Sequence, residues 1–597
     1  MRKLLSNKKT LLLIGVGLLG FAGWAMLTLD VNDPGKDSSE VVAEVSVEEP
    51  NPFSEKIIYV NNSSGTNSEN SFGNYLNKDS GVLGVQEVSE IIPEESSDPF
   101  ESPASISEVS IHQIEADYYS GQEFDFQPAE EGSFKSLNYA SPQNNDLSNT
   151  VMGFAPYWAI DGYYQNYQYD KLSVLAYFSV AIYPNGRFVK ECVVIGGQSL
   201  CGDRNGWNGW NSASVANMID RAHASGSKVV LTIKNFDHDS IVAFVASSSA
   251  RTRLINNVLA EIQDKNADGV NVDFESFSVA SNTTRAALAS FMDDLADAVH
   301  TNFPGSHVSI DVGATSSMPG SAKKIWDITA LGQTSVASIM VMTYDFYSTG
   351  SSMAGPESPL YGNQYWYTAS KSMEDVMTQA PRGKILMGVP YYGLEFPTVD
   401  GLYNSTVRSD CKNLSTGDTN TKCPGFISKY RNVVDPIYDT WHNSSTIKWS
   451  TADKVRYYVY NYTAFTSGNY RFPAGKWQGY YDDARSLKVK YDYVISNQLG
   501  GVGIWALGYD NGYTELWGAL REKFSKGPFI VVFKAGYSRS QQQSVHDSLG
   551  GEVVRYLVDD RAVIVRSLNK KSIDLLKEYR RRADVVSADF DTSRSLN

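Results

Sequence analysis

From Val151 onward the chain consists of eight apolar runs, each followed by a stretch with helical spacing. This alternation constrains the fold more than any other feature. The runs are VMGFAPYW from Val151, SVLAYFSVAIY from Ser173, KVVLTIKNF from Lys228, DGVNVDFE from Asp268, HVSIDVG from His307, ASIMVMTYD from Ala337, KILMGVPYYG from Lys384 and GVGIWALGYD from Gly501. Between them lie amphipathic segments such as SASVANMIDRAHAS from Ser212 and RAALASFMDDLADAVHTNF from Arg285. Parallel strands joined by crossover helices satisfy that order, and eight units over about 375 residues suit an α/β fold of the (β/α)8 TIM-barrel type. The expected barrel spans residues 150–525. Its largest insertion, from about Leu394 to Gln478, falls between the seventh and eighth strands.

After Lys526 the pattern becomes PFIVVFKAG, a polar helix-like stretch, GEVVRYLV, RAVIVRSL, a second helix NKKSIDLLKEYRRR and ADVVSADF. The order β-α-β-β-α-β predicts a small α+β ferredoxin-like domain over residues 528–592.

The segment before the barrel is different in kind. Between Asp30 and Thr150 there are 24 Asp plus Glu against four Lys, so most of the formal net charge of -15 sits there, and the barrel region is close to neutral. No basic stripe favours nucleic acid, and the acidic segment would repel phosphate backbones. Rich in Ser, Asn, Glu and Pro, residues 30–149 are expected to be a disordered linker, because their apolar clusters are too short to offset the entropy of ordering. Residues 1–29 place Arg2, Lys3, Lys8 and Lys9 before an uncharged run from Thr10 to Leu29. That run has about the length of a bilayer-spanning helix. The positive-inside rule then predicts a single-pass cell-membrane protein with an extracellular catalytic domain. A cleaved signal peptide, with Gly23 and Ala25 at a small-residue site and a secreted product, is the alternative.

Four cysteines form two sequence-close pairs, Cys192 with Cys201 and Cys411 with Cys423, both in Gly, Asn, Asp and Ser-rich stretches. Disulfides pinning surface loops are expected in an oxidising compartment, with free thiols or metal as alternatives. The seven histidines show no metal-ligand spacing and no Gly-rich phosphate loop precedes a helix, so no cofactor or metal is expected.

DGVNVDFE carries the chemistry. On a strand, Asn271, Asp273 and Glu275 project to one face and Val270, Val272 and Phe274 to the other. Two carboxyls buried this close repel each other, which favours a proton on one of them. A carboxyl protonated near neutral pH is what general-acid cleavage of a glycosidic bond requires.

The segment resembles the DGxDxDxE signature of glycoside hydrolase family 18, with Glu275 in the acid position. MTYD from Met342, MGVPYYG from Met387 and GVGIWALGYD from Gly501 resemble the family's sixth, seventh and eighth strand motifs. The resemblance implies a retaining, substrate-assisted hydrolase of N-acetylglucosamine-containing glycans, outside the two-carboxylate scheme. In that scheme Glu275 protonates the leaving oxygen and the substrate's acetamido oxygen attacks the anomeric carbon. Asp273 orients the acetamido group, Tyr344 hydrogen-bonds its carbonyl, Asp345 supports the site, and Trp505 forms the floor beneath the sugar. Among further aromatic residues at strand ends (Tyr157, Trp158, Phe178, Tyr391 and Tyr392), Trp158 and Tyr391 are the preferred stacking candidates.

Two departures matter. Asn271 stands where the signature's acidic triad has its first Asp, able to donate an amide hydrogen bond to Asp273 but not to share a proton with it. The third strand reads LTIKNF in place of a Ser and Gly-rich motif. Both resemble the peptidoglycan N-acetylglucosaminidase branch more than typical chitinases, so the expected partner is a polysaccharide, peptidoglycan or chitin. Residues 528–592 resemble the subtilisin-propeptide-like inhibitor family through IVVFK, GGEVVRYL and ADVVSADFD, which implies an accessory fold or a protein-binding role. A lectin-like, inactive barrel and a surface adaptor working through the C-terminal domain are the rival readings.

Overall fold

The structure, a computed structural model, describes residues 9–11, 27–29, 109–130, 132–134, 147–195, 198–200, 202–362, 367–434, 447–557, 560–568 and 572–590. The chain divides into two units, Met1–Lys56 and Ile57–Asn597.

In the first unit, Lys9–Leu11 and Leu27–Leu29 are short strands paired antiparallel, Lys9 opposite Leu29. Among the described residues no helix is long and apolar enough to cross a membrane. This corrects the expectation of a single-pass membrane protein held by an N-terminal helix. A spanning helix needs the run from Thr10 to Leu29 in one continuous element, whereas its two ends are extended and hydrogen-bonded to each other. The residues between those two strands lie outside the described set.

In the second unit eight parallel strands close into a barrel: β1 (Thr150–Pro156), β2 (Val174–Ala181), β3 (Lys228–Asn235), β4 (Gly269–Phe274), β5 (His307–Gly313), β6 (Ser338–Met342), β7 (Ile385–Pro390) and β8 (Gly501–Trp505). Each pairs with the next in sequence, and β8 returns to β1 with Val502 opposite Val151. Both faces of each strand are covered, which is why the runs read as continuously apolar. Side-chain caps start the intervening helices: Ser212 accepts from the Val215 amide, Ser281 from Thr284 and Asp483 from Ser486. The expected (β/α)8 barrel is the fold.

The insertion after β7 is a second layer of its own. Antiparallel strands Phe426–Lys429, Tyr392–Thr398, Gly475–Tyr481, Val455–Tyr462 and Lys448–Ser450 form a five-stranded sheet in that order. Its buried Glu395 accepts hydrogen bonds from Tyr458 (2.8 Å), Tyr460 (2.6 Å) and Ser428 (2.7 Å), so the carboxylate is satisfied inside the sheet. Cys411 and Cys423 form a disulfide with Cα atoms 5.2 Å apart. Cys192 is also disulfide-bonded, and Cys201 lies outside the described residues.

At the C-terminus, β9 (Phe529–Phe533), β10 (Gly551–Tyr556), β11 (Ala562–Ser567) and β12 (Val585–Phe590) make an antiparallel sheet in the order β10-β11-β9-β12. Helices Arg539–Leu549 and Ser572–Arg580 cover one face, around a separate core that includes Phe529, Val531, Val565, Leu575 and Tyr579.

One helix was not expected. α1 (Ile111–Ser120) lies within the 30–149 segment read as a disordered linker. Ser110 caps it, accepting from the Gln113 amide, and the chain after it straps the barrel: Phe124 and Phe126 pack on Tyr157, and the Ala129 amide bonds the Asn211 carbonyl. Composition averaged over the whole segment hides a ten-residue helix that gains its burial from the barrel and not from a core of its own.

Candidate active site

The alternation expected for β4 sets the site. Phe274 points outward, stacking on Phe291 and meeting Phe244 edge-on, so Asn271 and Asp273 point into the barrel and Glu275 follows at the strand's C-terminal end. That end is where catalytic groups of such barrels gather. Asp273 and Glu275 are 0% and 1% exposed. Burial, and then the neighbouring Asp273 charge, push the Glu275 carboxyl up to about 7. Its Oε2 has no hydrogen-bond partner among the described residues, which suits an oxygen that carries a proton.

Tyr344 and Asp345 come from the end of β6. Gly388 on β7 makes room for the tyrosine ring, since a β-carbon there would lie 2.8 Å from Tyr344 Cε1. Asp345 adopts φ 60°, a left-handed backbone that Asp tolerates better than most residues. Its carboxylate accepts from Tyr392 OH at 2.5 Å and from the Ile111 amide at 2.7 Å. Burial raises Asp345 to about 6, against those two hydrogen bonds.

α1 fills the mouth. His112 lies between the site groups, with Nδ1 3.0 Å from Asp273 Oδ2 and 3.4 Å from Glu275 Oε1, and Nε2 2.8 Å from Tyr344 OH. Its ring rests on Trp505 with centroids 4.0 Å apart. Burial alone would lower the imidazole's pKa, but the charge and hydrogen bond of Asp273, followed by those of Glu275, carry it well above the usual value. The ring is therefore an imidazolium that donates to Asp273 and to the Tyr344 oxygen. Ser110 Oγ donates to Glu275 Oε1 at 2.8 Å. One turn on, Glu115 accepts from Trp505 Nε1 (2.9 Å) and Tyr509 OH (2.6 Å). Tyr119 stacks on Trp158 at 4.8 Å with planes 12° apart, and Trp158 Nε1 donates to Tyr509 OH.

His112, Asp273 and Glu275 are the group among the described residues whose ligand atoms could hold a metal, all within 4.8 Å of one another. The Nδ1 proton that the His112 to Asp273 bond requires occupies the lone pair a metal would need, so the arrangement is that of an ion pair.

Of the residues singled out in the sequence, Glu275, Asp273, Tyr344, Asp345, Trp505 and Trp158 come together. Two do not behave as expected. Asn271 donates to Asp311 Oδ2 (2.6 Å) and Thr232 Oγ1 (3.4 Å) and accepts from Ser309 (2.7 Å), one layer below the mouth, so its amide is committed to β5 and β3 and not to Asp273. Tyr391 is directed outward, edge-on to Trp517 at 5.8 Å. Its neighbour Tyr392 reaches the site, because successive residues of an extended chain face opposite ways. The sequence reading missed Ser110, His112, Glu115 and Asp311. A Ser-x-x-Gln start at Ser110 and a Gly after Ser120 were the available signals for α1. Asp311, on β5, is fully buried and held well above the usual carboxylate range by burial and then by Asp273.

Residues 150–510 match the model of the glycosyl hydrolases family 18. The chain is 26% identical over 314 residues to the di-N-acetylchitobiase of Rattus norvegicus, covering 51% of this chain and 78% of the rat protein. It is 28% identical over 278 residues to a Bacillus subtilis (strain 168) protein provisionally named a sporulation-specific glycosylase, covering 46% of this chain and 56% of that one. Among solved structures it is similar to an Ostrinia furnacalis Group IV chitinase in complex with allosamidin, at TM-score 0.49 and 17% identity over 63% of this chain and 98% of that one. With a closed eightfold barrel and a family match spanning all eight strands, the chain belongs to the glycosyl hydrolases family 18.

Proposed function

We propose that this chain is a retaining hydrolase of β-1,4 bonds in N-acetylglucosamine-containing glycans, acting by substrate-assisted catalysis. The observation that carries the reading is the buried Asp273 and Glu275 pair, in which burial and then the Asp273 charge push the Glu275 carboxyl up to about 7, favouring a transferable proton on it. Glu275 gives that proton to the leaving oxygen. The substrate's own acetamido oxygen closes on the anomeric carbon, giving an oxazolinium ion whose positive charge Asp273 balances. Tyr344 OH bonds the acetamido oxygen, and the Trp505 face receives the apolar side of the sugar. Water, giving a proton to Glu275, then attacks the anomeric carbon from the face the leaving group left, opposite the acetamido oxygen, and breaks the bond to that oxygen, leaving the β anomer.

Peptidoglycan is the favoured polymer over chitin, supported by Asn271 in DGVNVDFE and by the similarity to the Bacillus subtilis protein named for sporulation. The test is incubation with purified peptidoglycan and with chitooligosaccharides, products being identified by mass spectrometry and their first-formed anomer by NMR. Release of β-configured N-acetylglucosamine ends from peptidoglycan is expected. An inverted product, or turnover of de-N-acetylated substrate, would overturn the mechanism.

A further inference from the structure

We infer that Val109–Ala129 is a built-in competitor of the glycan, a plug that closes the cleft and that substrate must displace. The inference rests on the proposed glycosidase reading for the identity of the competitor, and on geometry for the plug itself.

Each group assigned to the sugar is already engaged. Ser110 takes the Glu275 oxygen, and His112 bridges Asp273 and Tyr344, the pair assigned to the acetamido N–H and carbonyl. The ring, tilted over Trp505 with one nitrogen on Asp273 and the other on Tyr344, stands in the place assigned to the acetamido group. Tyr119 covers the face of Trp158, the next aromatic platform. The first free amide of the helix, at Ile111, points at Asp345, so the positive end of the helix faces the site's carboxylates. No sugar can occupy these positions while α1 is in place.

The barrel does not need this helix to close, since its eight strands complete their own hydrogen-bonded ring. A helix serving only to cover apolar surface would bury apolar residues. α1 buries Ile111 and Ala116 but also, completely, His112 and Glu115, the imidazole meeting Asp273 and Tyr344 and Glu115 Oε2 accepting from Trp505 and Tyr509. The plug is also releasable. A ten-residue helix is marginal by itself, so lifting it from the cleft unfolds it, while the connection through residues 130–149 to β1 holds it at high effective concentration. A polymer that engages several subsites at once can compete with it where a single sugar cannot.

The test compares the full chain with full-chain His112→Ala/Glu115→Ala. Affinity for N-acetylglucosamine thiazoline, by calorimetry, and hydrolysis of chitotetraose and peptidoglycan are both measured. A plug closed nine times in ten lowers apparent affinity about tenfold, so a rise of roughly that size or more is expected in thiazoline affinity and in kcat/KM. A peptide of residues 108–129 added to the variant should restore inhibition competitively. Should the variant fail to fold by circular dichroism, hydrogen exchange of the unmodified chain decides: Ile111–Ser120 should lose protection when chitotetraose is added to saturation. Equal thiazoline affinity and equal turnover in chain and variant would overturn the plug and leave the hydrolase reading standing, as would unchanged protection at saturation. Tighter ligand binding by the variant without hydrolysis by either protein would overturn the hydrolase reading and leave the plug standing. A folded variant that binds no glycan overturns both.

Discussion

Asn271 Nδ2 donates to Asp311 Oδ2 at 2.6 Å, joining β4 to β5 directly beneath Asp273. The third acidic position of the site is thus carried by the neighbouring strand, and the amide spares Asp311 a second like charge on β4 beside that of Asp273. Asn271→Asp would put two carboxyls at hydrogen-bond distance inside the barrel, able to coexist only by sharing a proton. A folded-state carboxyl raised above its unfolded value binds more protons folded than unfolded, so stability falls as pH rises through the folded pKa. The variant is therefore expected to lose stability between about pH 4, where unfolded carboxyls titrate, and neutrality. Melting temperature against pH measures this, and a profile parallel to that of the unmodified chain would refute it.

Glu275→Gln keeps the side chain's shape and removes its proton. Turnover should drop by roughly 10²- to 10⁴-fold while substrate binding persists. In the unmodified protein the acid form of Glu275 is the working form and titrates at about 7, so the basic limb of the rate profile should lie near neutrality. Initial rates from pH 4 to 9 locate that limb. A rate profile with no basic limb between pH 4 and 9 would show that Glu275 is not the acid.

The barrel was legible because parallel strands covered on both faces must be written as apolar runs, and eight such runs leave few alternatives. The paired carboxyls were legible because alternation on one strand fixes their side. What escaped was placement between segments remote in sequence. His112 and Asp273 are 161 positions apart, and nothing in SIHQIEADYYS by itself states which surface it covers. Asp311 looked like one more polar residue in HVSIDVG until closure of the barrel set β5 against β4. The membrane expectation came from hydropathy over one run, which carries no information about whether its ends pair with each other.

Removing everything after Lys526 should leave glycosidase rates unchanged. The C-terminal sheet has its own core, and it meets the barrel at the last helix, Glu515–Phe524, where Arg521 lies over Phe590 and the Ser572 amide bonds the Ser525 carbonyl. Neither contact touches the mouth at Glu275. Kinetics of the truncated protein, with its fold checked by circular dichroism, test this independence, and loss of activity in a folded truncation would show that the domain shapes the site.

Tyr391 and Tyr392 are adjacent and chemically identical, yet the fold gives them different tasks, which makes them a matched pair for locating the site. Tyr392 OH holds Asp345 Oδ1, and its ring meets Tyr344 edge-on at 6.2 Å. Tyr391 packs against Trp517 on the outer side of β7. Tyr392→Phe deletes one hydrogen bond to a charged group, worth about 1.5–3 kcal/mol, and frees Asp345 to turn. A fall in kcat/KM of roughly ten- to a hundredfold is expected, together with a fall of a few degrees in melting temperature, roughly 2–4 °C per kcal/mol lost. Tyr391→Phe keeps the ring that packs on Trp517 and should leave kinetics as they are. Steady-state rates of the two variants on chitotetraose decide between the placements, and a larger kinetic loss for Tyr391→Phe would mean that the outward tyrosine, not the inward one, serves the cleft.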